Sequence, residues 1–156
     1  MEKFLENIQE AEKKIKTADH LAYITYPLLK DKRLFLVLLS EIKKSLICCI
    51  NSILRYDYLY KRVSLSPDTK TNFETFLNKS SKRFQITPKE LEQIKNIFQF
   101  EECHRKSSME IMKEDKILIL SPDLKQKIIT IEQIKEFLQI SKSILEKTKN
   151  TILRKI

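Results

Sequence analysis

The segment LFLVLLSEIKKSLICCINSILRY (residues 34–56) decides the fold. Its apolar residues recur at intervals of three and four, the spacing that places side chains on one face of an α-helix. The stripe consists of Phe35, Leu39, Ile42, Leu46, Cys49, Ile53, Tyr56 and Tyr60. Further apolar residues at 34–38 make the start of the segment apolar on nearly every side. We therefore predict a central helix from Lys32 to about Arg62, capped by Asp31 and contacted by several other helices.

One helix is predicted before this central helix, and one is predicted after it. The first runs from Glu2 to about Tyr26, where the following Pro27 should end or kink it, because proline has no N–H group and its ring clashes with the preceding turn. The other begins at residues 66–68, where Ser66 is the expected N-cap and a proline occupies the first helical position. We expect it to run to about Arg83.

In the second half of the chain we predict two more helices, separated by a β-hairpin. Residues 87–90 (TPKE) form a capping box with proline at the first position, which starts a helix that runs to about Lys106. The β-branched runs at 116–120 and 127–130 predict a small β-hairpin near residues 116–130, turning at Ser121–Asp123. Thr130 then caps the last helix, whose apolar stripe we expect to supply a surface for self-association. The predicted fold class is all-α: an antiparallel bundle of about five helices carrying this hairpin, as one domain over residues 1–156.

The 156 residues include no glycine, which excludes several classes of enzyme. Phosphate-binding loops, dinucleotide-binding turns and the nucleophile elbow of hydrolases all need a residue without a Cβ atom. Left-handed helix ends also favour glycine, so we expect these helices to end at Asn78, at prolines or in polar turns.

The charge and the cysteines set limits on partners and compartment. The formal net charge is +9, from 30 basic and 21 acidic residues, and only six of the basic residues are arginine. Arginine is the residue that binds phosphate in a fork, so a lysine-rich surface is a less specific signal for nucleic acid. The three cysteines lack disulfide or metal spacing, which favours free thiols and a cytoplasmic protein. We expect no signal peptide, no transmembrane helix, no membrane partner, no metal and no cofactor.

The first candidate binding group lies at the end of the fourth predicted helix. His104, Arg105 and Lys106, followed by Ser107 and Ser108, concentrate cations and hydrogen-bond donors there. Cations at a helix C-terminus commonly complement the helix dipole, which is the structural interpretation. The functional alternative is a contact with phosphate or with an acidic partner.

The second candidate group surrounds the end of the first helix. Helical spacing puts His20 and Tyr23 on one face with Pro27. Tyr26 is adjacent, and Lys30, Lys32 and Arg33 would add charge beside a helix N-terminus that is already positive. An amphipathic helix end explains the aromatic residues, whereas a ligand-facing or partner-facing patch also explains the unfavourable charge. The charge is no longer unfavourable if the first helix instead continues through Pro27 and ends near Lys30.

A third group interleaves aromatic and basic residues near the end of the central helix. Three tyrosines, Tyr56, Tyr58 and Tyr60, lie between Arg55 on one side and Lys61 and Arg62 on the other. Such sets can stack on single-stranded nucleic acid. However, the core stripe contains two of the tyrosines, and the cations suit a helix C-terminus, so the ordinary interpretation is structural.

The helical order resembles that of the HEPN superfamily. The residues that carry the resemblance are the long helix pair Phe4–Tyr26 and Leu34–Tyr60 and the later helices at Pro88 and Ile131. RNA-cleaving members carry an arginine four to six residues before a histidine, and no arginine precedes His20 or His104 at that spacing. The resemblance therefore implies a non-catalytic member that dimerises or binds a nucleotide, an RNA or a protein.

The sequence favours three functions in order. The first is a non-catalytic helical interaction module, HEPN-like and dimeric, that binds a protein or a nucleotide or RNA partner. The second is a basic nucleic-acid-binding protein, which requires its cations to share one face; they are Lys30, Lys32, Arg33, Lys82, Arg83, Arg105 and Lys106. The third is an enzyme of unrecognised type with a polar pocket near His20 or His104.

Overall fold

The computed structural model describes residues 2–107, 109–113, 116–123 and 125–154, and these are mostly helical. The α-helices are α1 (Lys3–His20), α2 (Tyr26–Leu29), α3 (Arg33–Leu59), α4 (Thr69–Thr75), α5 (Ser81–Arg83), α6 (Pro88–Arg105) and α7 (Ile131–Leu153). A π-helical turn at Leu21–Thr25 joins α1 to α2, and a second at Phe76–Ser80 joins α4 to α5. The described residues therefore form five continuous helices. Within these ranges no helix is both long and apolar enough to span a bilayer.

The central position predicted for α3 is confirmed. It packs against α1, α6 and α7, and its inward residues join a single cluster of buried apolar side chains. Two ion pairs show the relative direction of α1 and α7: Asp19 pairs with Lys142, and Glu12 pairs with Lys149. Because the sequence order is reversed between the two pairs, α1 and α7 run in opposite directions.

The apolar stripe of α7 lies inside the fold. Its members are buried, among them Ile134, Leu138 and Ile152, and α7 packs against α1, α3 and α6. The prediction that this stripe supplies a surface for self-association is therefore wrong. Those side chains are removed from solvent by the chain's own helices.

The predicted hairpin belongs to a three-stranded antiparallel sheet. Strands β1 (Met109–Lys113), β2 (Lys116–Leu120) and β3 (Gln126–Thr130) lie in that order, with Ile117 opposite Ile129. Ile117, Ile119 and Ile129 are buried, and β2 and β3 pack against α6 and α7. The strand β1 was not predicted from the sequence. The predicted turn at Ser121–Asp123 lies between β2 and β3, and Leu124 lies outside the described residues.

Two predicted helix starts are confirmed and one is corrected. The Thr87 side chain accepts a hydrogen bond from the Glu90 backbone N–H, and the Glu90 carboxylate accepts one from the Thr87 N–H at 3.0 Å, which completes the capping box. Thr130 caps α7. At the start of α4 the N-cap is Asp68, not Ser66, and the Asp68 carboxylate accepts bonds from Lys70 and Thr71. The Thr71 hydroxyl and these backbone groups lower the pKa of Asp68.

Pro27 does not end the first helix. The π-helical turn before it carries a bond from the Tyr26 N–H to the Leu21 carbonyl, a wider loop than the α-helical bond. Widening of this kind is one of the ways by which a helix accommodates a proline. The helix therefore continues to Leu29 and ends at Lys30, one turn beyond the predicted boundary at Tyr26.

At three helix ends, a lysine or a glutamine adopts the left-handed conformation that glycine usually provides. Lys30, Lys61 and Gln85 have φ angles of 51°, 60° and 58°, in the left-handed region. The expected end at Asn78 is wrong, because Asn78 lies within the second π-helical turn. A left-handed residue with a Cβ atom costs about 1–2 kcal/mol. The surrounding hydrogen bonds, such as Lys30 N–H to Tyr26 carbonyl at 2.7 Å, offset that cost.

Candidate functional site

The main candidate surface is the exposed end of the first helix. We call Tyr23, Ile24, Leu28 and Leu29 the apolar end. All four are exposed, and the two leucines are 80% and 66% exposed. Ile24 and Leu28 lie about one helical turn apart, so both project from the same side. Isolated exposed leucines are common on proteins, but adjacent ones at the tip of a helix form a contiguous apolar surface.

The cations beside the apolar end differ in their availability. Arg33 donates two hydrogen bonds from Nε and one of 2.7 Å from a terminal nitrogen to the Asp31 carboxylate. These bonds from Arg33 lower the pKa of Asp31, so the Arg33 guanidinium is paired within the chain. Within the described ranges, Lys30 and Lys32 form no ion pair. Two lysines therefore remain to attract an acidic group at this end.

The histidine and tyrosines of the second predicted group have separate environments. His20 is exposed on the last turn of α1. The Tyr23 ring lies beneath two amines of α7, with Lys135 Nζ at 5.0 Å and Lys142 Nζ at 5.8 Å from its centroid. Tyr26 is half-buried, with its ring 5.0 Å from that of Phe35. The structure thus places Tyr26 with the core and Tyr23 with the surface.

His104 belongs to a small polar cluster between α6 and β1. Its Nδ1 contacts the Glu110 carboxylate, and the Ser107 hydroxyl lies 3.0 Å from the same carboxylate. This arrangement orients the imidazole and leaves Nε2 as its other hydrogen-bonding nitrogen. The serine hydroxyl contacts the carboxylate and not the imidazole, so the cluster lacks the serine-to-histidine contact that activates a nucleophile. Ser108, the neighbour included in the predicted group, lies outside the described residues.

The predicted nucleic-acid cations do not gather at one end. Lys82 and Arg83 form the end of α5, and Arg83 binds Asp57 near the C-terminal end of α3. Arg33 begins α3, so it and Asp57 are separated by 24 residues of helix, or about 36 Å at 1.5 Å per residue. Lys106 pairs with Glu102 at 2.9 Å, whereas Arg105 is exposed without an ion pair in the described ranges.

The aromatic group at the end of α3 divides into a structural part and an exposed part. Tyr56 is buried, as the stripe predicted, and burial raises its pKa. Tyr60 is exposed, so its predicted core position is wrong; it follows the last residue of α3. Arg62 lies over both rings, at 5.9 Å and 5.3 Å, and pairs with Asp57 at 3.5 Å. Arg62 is therefore a packing residue.

The same end of α3 borders an open cavity of about 590 Å³ that sequence reasoning missed. Its walls include Lys3 from the start of α1, Arg55 and Tyr58 from the end of α3, and Lys61, which follows that helix. Residues 3 and 55 are too far apart in sequence for any local pattern to join them. The only sequence signal was the set of three tyrosines flanked by cations at residues 55–62.

The cysteines and acidic residues do not form a metal centre in the described part of the chain. No group of three or more His, Cys, Asp or Glu side chains there could hold a metal ion. Cys49 is buried, and Cys48 and Cys103 are half-buried free thiols. Burial raises the pKa of Cys49 and Cys48. High-pKa thiols are poor nucleophiles at neutral pH.

Comparison with known proteins adds no family. A scan against protein-family models finds no match, and a search of curated proteins finds no significant relative.

Proposed function

We propose that this protein is a non-catalytic, cytoplasmic helical interaction module that binds a second copy of itself through the apolar end. The observation that carries the proposal is the pair of adjacent exposed leucines, Leu28 and Leu29. Each leucine gains about 1.5–3 kcal/mol when it is transferred from water into a packed contact. Burial of the two leucines against a second copy of the chain therefore contributes a favourable free energy that is absent in the isolated chain.

The interface is supported by the composition of its rim. Tyr23 and Ile24 extend the surface along the helix, and tyrosine is enriched at protein interfaces because it is apolar with one polar atom. The Asp31–Arg33 pair presents both signs of charge at the edge. Lys30 has a long flexible stem that can cover apolar surface while its amine stays in water.

The HEPN-like part of the proposal concerns the arrangement of the helices. We propose that α1, α3, α6 and α7 form one antiparallel bundle. The reversed pairing of α1 with α7 supports it, as do the contacts of Lys43 with Glu101 and of Lys147 with Glu90 between neighbouring helices. A long helix pair followed by two further helices is the order that the HEPN resemblance implies.

The test is the mass of the protein in solution. Sedimentation velocity over a series of concentrations should give a reversible dimer for the natural chain and a monomer for the Leu28→Ser/Leu29→Ser variant. The matched control is Leu153→Ser, which changes an exposed leucine near the end of α7 and should leave the dimer intact. Circular dichroism should report the same helix content for all three proteins.

Two outcomes would overturn the proposal. One is a natural chain that stays monomeric at high concentration. The other is a dimer that persists unchanged in the Leu28→Ser/Leu29→Ser variant, because the association would then use another surface.

A further inference from the structure

The open cavity at the C-terminal end of α3 has the composition of an anion site. Its lining includes three cations, Lys3, Arg55 and Lys61, against one carboxylate, Glu2. The volume of about 590 Å³ is within the range of ligand-binding pockets. The cavity lies at the opposite end of the 27-residue α3 from the apolar end, about 40 Å away. It is therefore independent of the surface proposed for self-association.

The cations of this cavity are available to a ligand. Arg55 and Lys61 have no ion-pair partner among the described residues, and Lys3 has only a 3.9 Å contact with Glu6. Both side chains of that contact are exposed, so water screens the interaction and it is weak. By contrast, neighbouring Arg62 is held by Asp57 and by two tyrosine rings. Arg62 is therefore a packing residue, whereas Arg55, Lys61 and Lys3 remain available to a ligand.

The backbone directs Lys61 toward the cavity. Lys61 adopts φ 60° directly after the last turn of α3, and its N–H donates to the Tyr58 carbonyl at 3.0 Å. This left-handed residue reverses the chain, so that Lys61 lines the cavity while Arg62 reaches Asp57.

The cavity also presents an aromatic face. Tyr58 is 56% exposed, and within the described residues no aromatic ring packs against its ring and no cation lies over its face. Tyr56, two residues earlier, is buried and packs edge-on against Phe4 and Phe84. One tyrosine of the pair thus serves the core, and the other offers a free ring beside three cations.

We propose that this cavity binds single-stranded nucleic acid. Arg55, Lys61 and Lys3 contact backbone phosphates, and an unpaired base stacks on the Tyr58 ring. Single strands are bound by this combination, since every base has a stacking face and the phosphates follow a positive groove. A duplex keeps its base faces inside the helix, so it can use the cations but not the ring. An acidic peptide likewise satisfies only the charge.

The test is fluorescence anisotropy with a short fluorescein-labelled oligouridine at low salt. Tyr58→Ala should weaken binding by about fivefold or more, the lower end of the stacking contribution. Arg55→Gln should weaken binding and reduce the slope of log affinity against log salt by about one phosphate contact. Lys61→Asn should act similarly, and asparagine tolerates the left-handed backbone.

Matched controls distinguish the cavity from general basicity. Lys82→Gln removes an exposed cation without an ion pair in the described ranges, and Ile128→Ala removes an exposed apolar side chain on β3. Both should bind the oligouridine as the natural chain does. An unlabelled RNA duplex and a polyglutamate peptide should compete more weakly than unlabelled oligouridine.

Three results would overturn the proposal: no binding at low salt, equal losses in the cavity and control variants, or competition by duplex or polyglutamate as strong as that by oligouridine. The outcome is separate from the dimer test, because Leu28→Ser/Leu29→Ser leaves all cavity residues unchanged.

Discussion

Substitution of Asp57 by asparagine should destabilise the protein more than the removal of an exposed charge. Asp57 is fully buried on the last turns of α3. Arg83 donates to its Oδ2 from two nitrogens, at 3.2 Å and 2.7 Å, and Arg62 lies 3.5 Å from its Oδ1. Asparagine keeps the size of the side chain but removes the negative charge that both guanidinium groups face.

The expected loss is about 2–3 kcal/mol of unfolding free energy. Removal of one partner from a fully buried ion pair costs about 3–5 kcal/mol. Arg83 and Arg62 are 36% and 35% exposed, so water can solvate part of each freed guanidinium and the loss falls below that range. Arg62 also keeps its backbone bond to the Asp57 carbonyl at 2.9 Å, so the chain reversal after α3 should persist.

Urea denaturation followed by circular dichroism measures the effect. The matched control is Asp19→Asn, which breaks the ion pair with Lys142. The side chains of Asp19 and Lys142 are 45% and 36% exposed. That pair should contribute less than about 1 kcal/mol. If the two variants lose the same stability, the Asp57 cluster is not acting as a buried ion pair and the reasoning fails.

Three further predictions concern pH, packing and thiol reactivity. Burial opposes ionisation of Glu90, but bonds from Lys147 and its other partners outweigh it and lower the pKa. The ionised Glu90 carboxylate therefore stabilises the folded state fully above its ordinary pKa of 4.5, and this stabilisation is lost as pH falls through the lowered pKa of the folded state. Urea titrations at several pH values should show this loss in the natural chain and not in the Glu90→Gln variant. Leu46→Ala should cost about 2–5 kcal/mol in urea denaturation; Ile47→Ala, on the exposed side of the same helix, should cost much less. Cys49 should react with a thiol reagent only at the rate of global unfolding, and faster labelling in native buffer would contradict its burial.

The sequence was sufficient where the signal was local. The capping box at Thr87 and Glu90 needs only residues three apart, so it was predicted and is present. The stripe of α3 was likewise predictable because a helix repeats its faces at fixed intervals. The stop expected at Pro27 failed because one wide turn relieved the clash, and no sequence rule distinguishes that outcome from a helix end.

Elements that depend on tertiary contacts were not predictable. Strand β1 has two methionines, a glutamate and a lysine around a single isoleucine, a composition that favours helix as readily as strand. It forms because β2 supplies its hydrogen-bond partner. The Asp57–Arg83 pair joins residues 26 apart. The cavity brings Lys3 beside Arg55 for the same reason, since α1 and α3 pack together along their length.

The π-helical turn at Leu21–Thr25 contains one residue more than an α-helical turn of the same rise, and it changes which side of the helix faces outward. Up to Ala22 the buried stripe follows heptad spacing, and continuation by seven residues would turn Leu29 inward. Leu29 is exposed instead. Deletion of a single residue from the turn would rotate α2 by about 100° relative to α1. Deletion of Thr25 alone should therefore turn Leu29 toward the core while all four side chains of the apolar end stay in the chain.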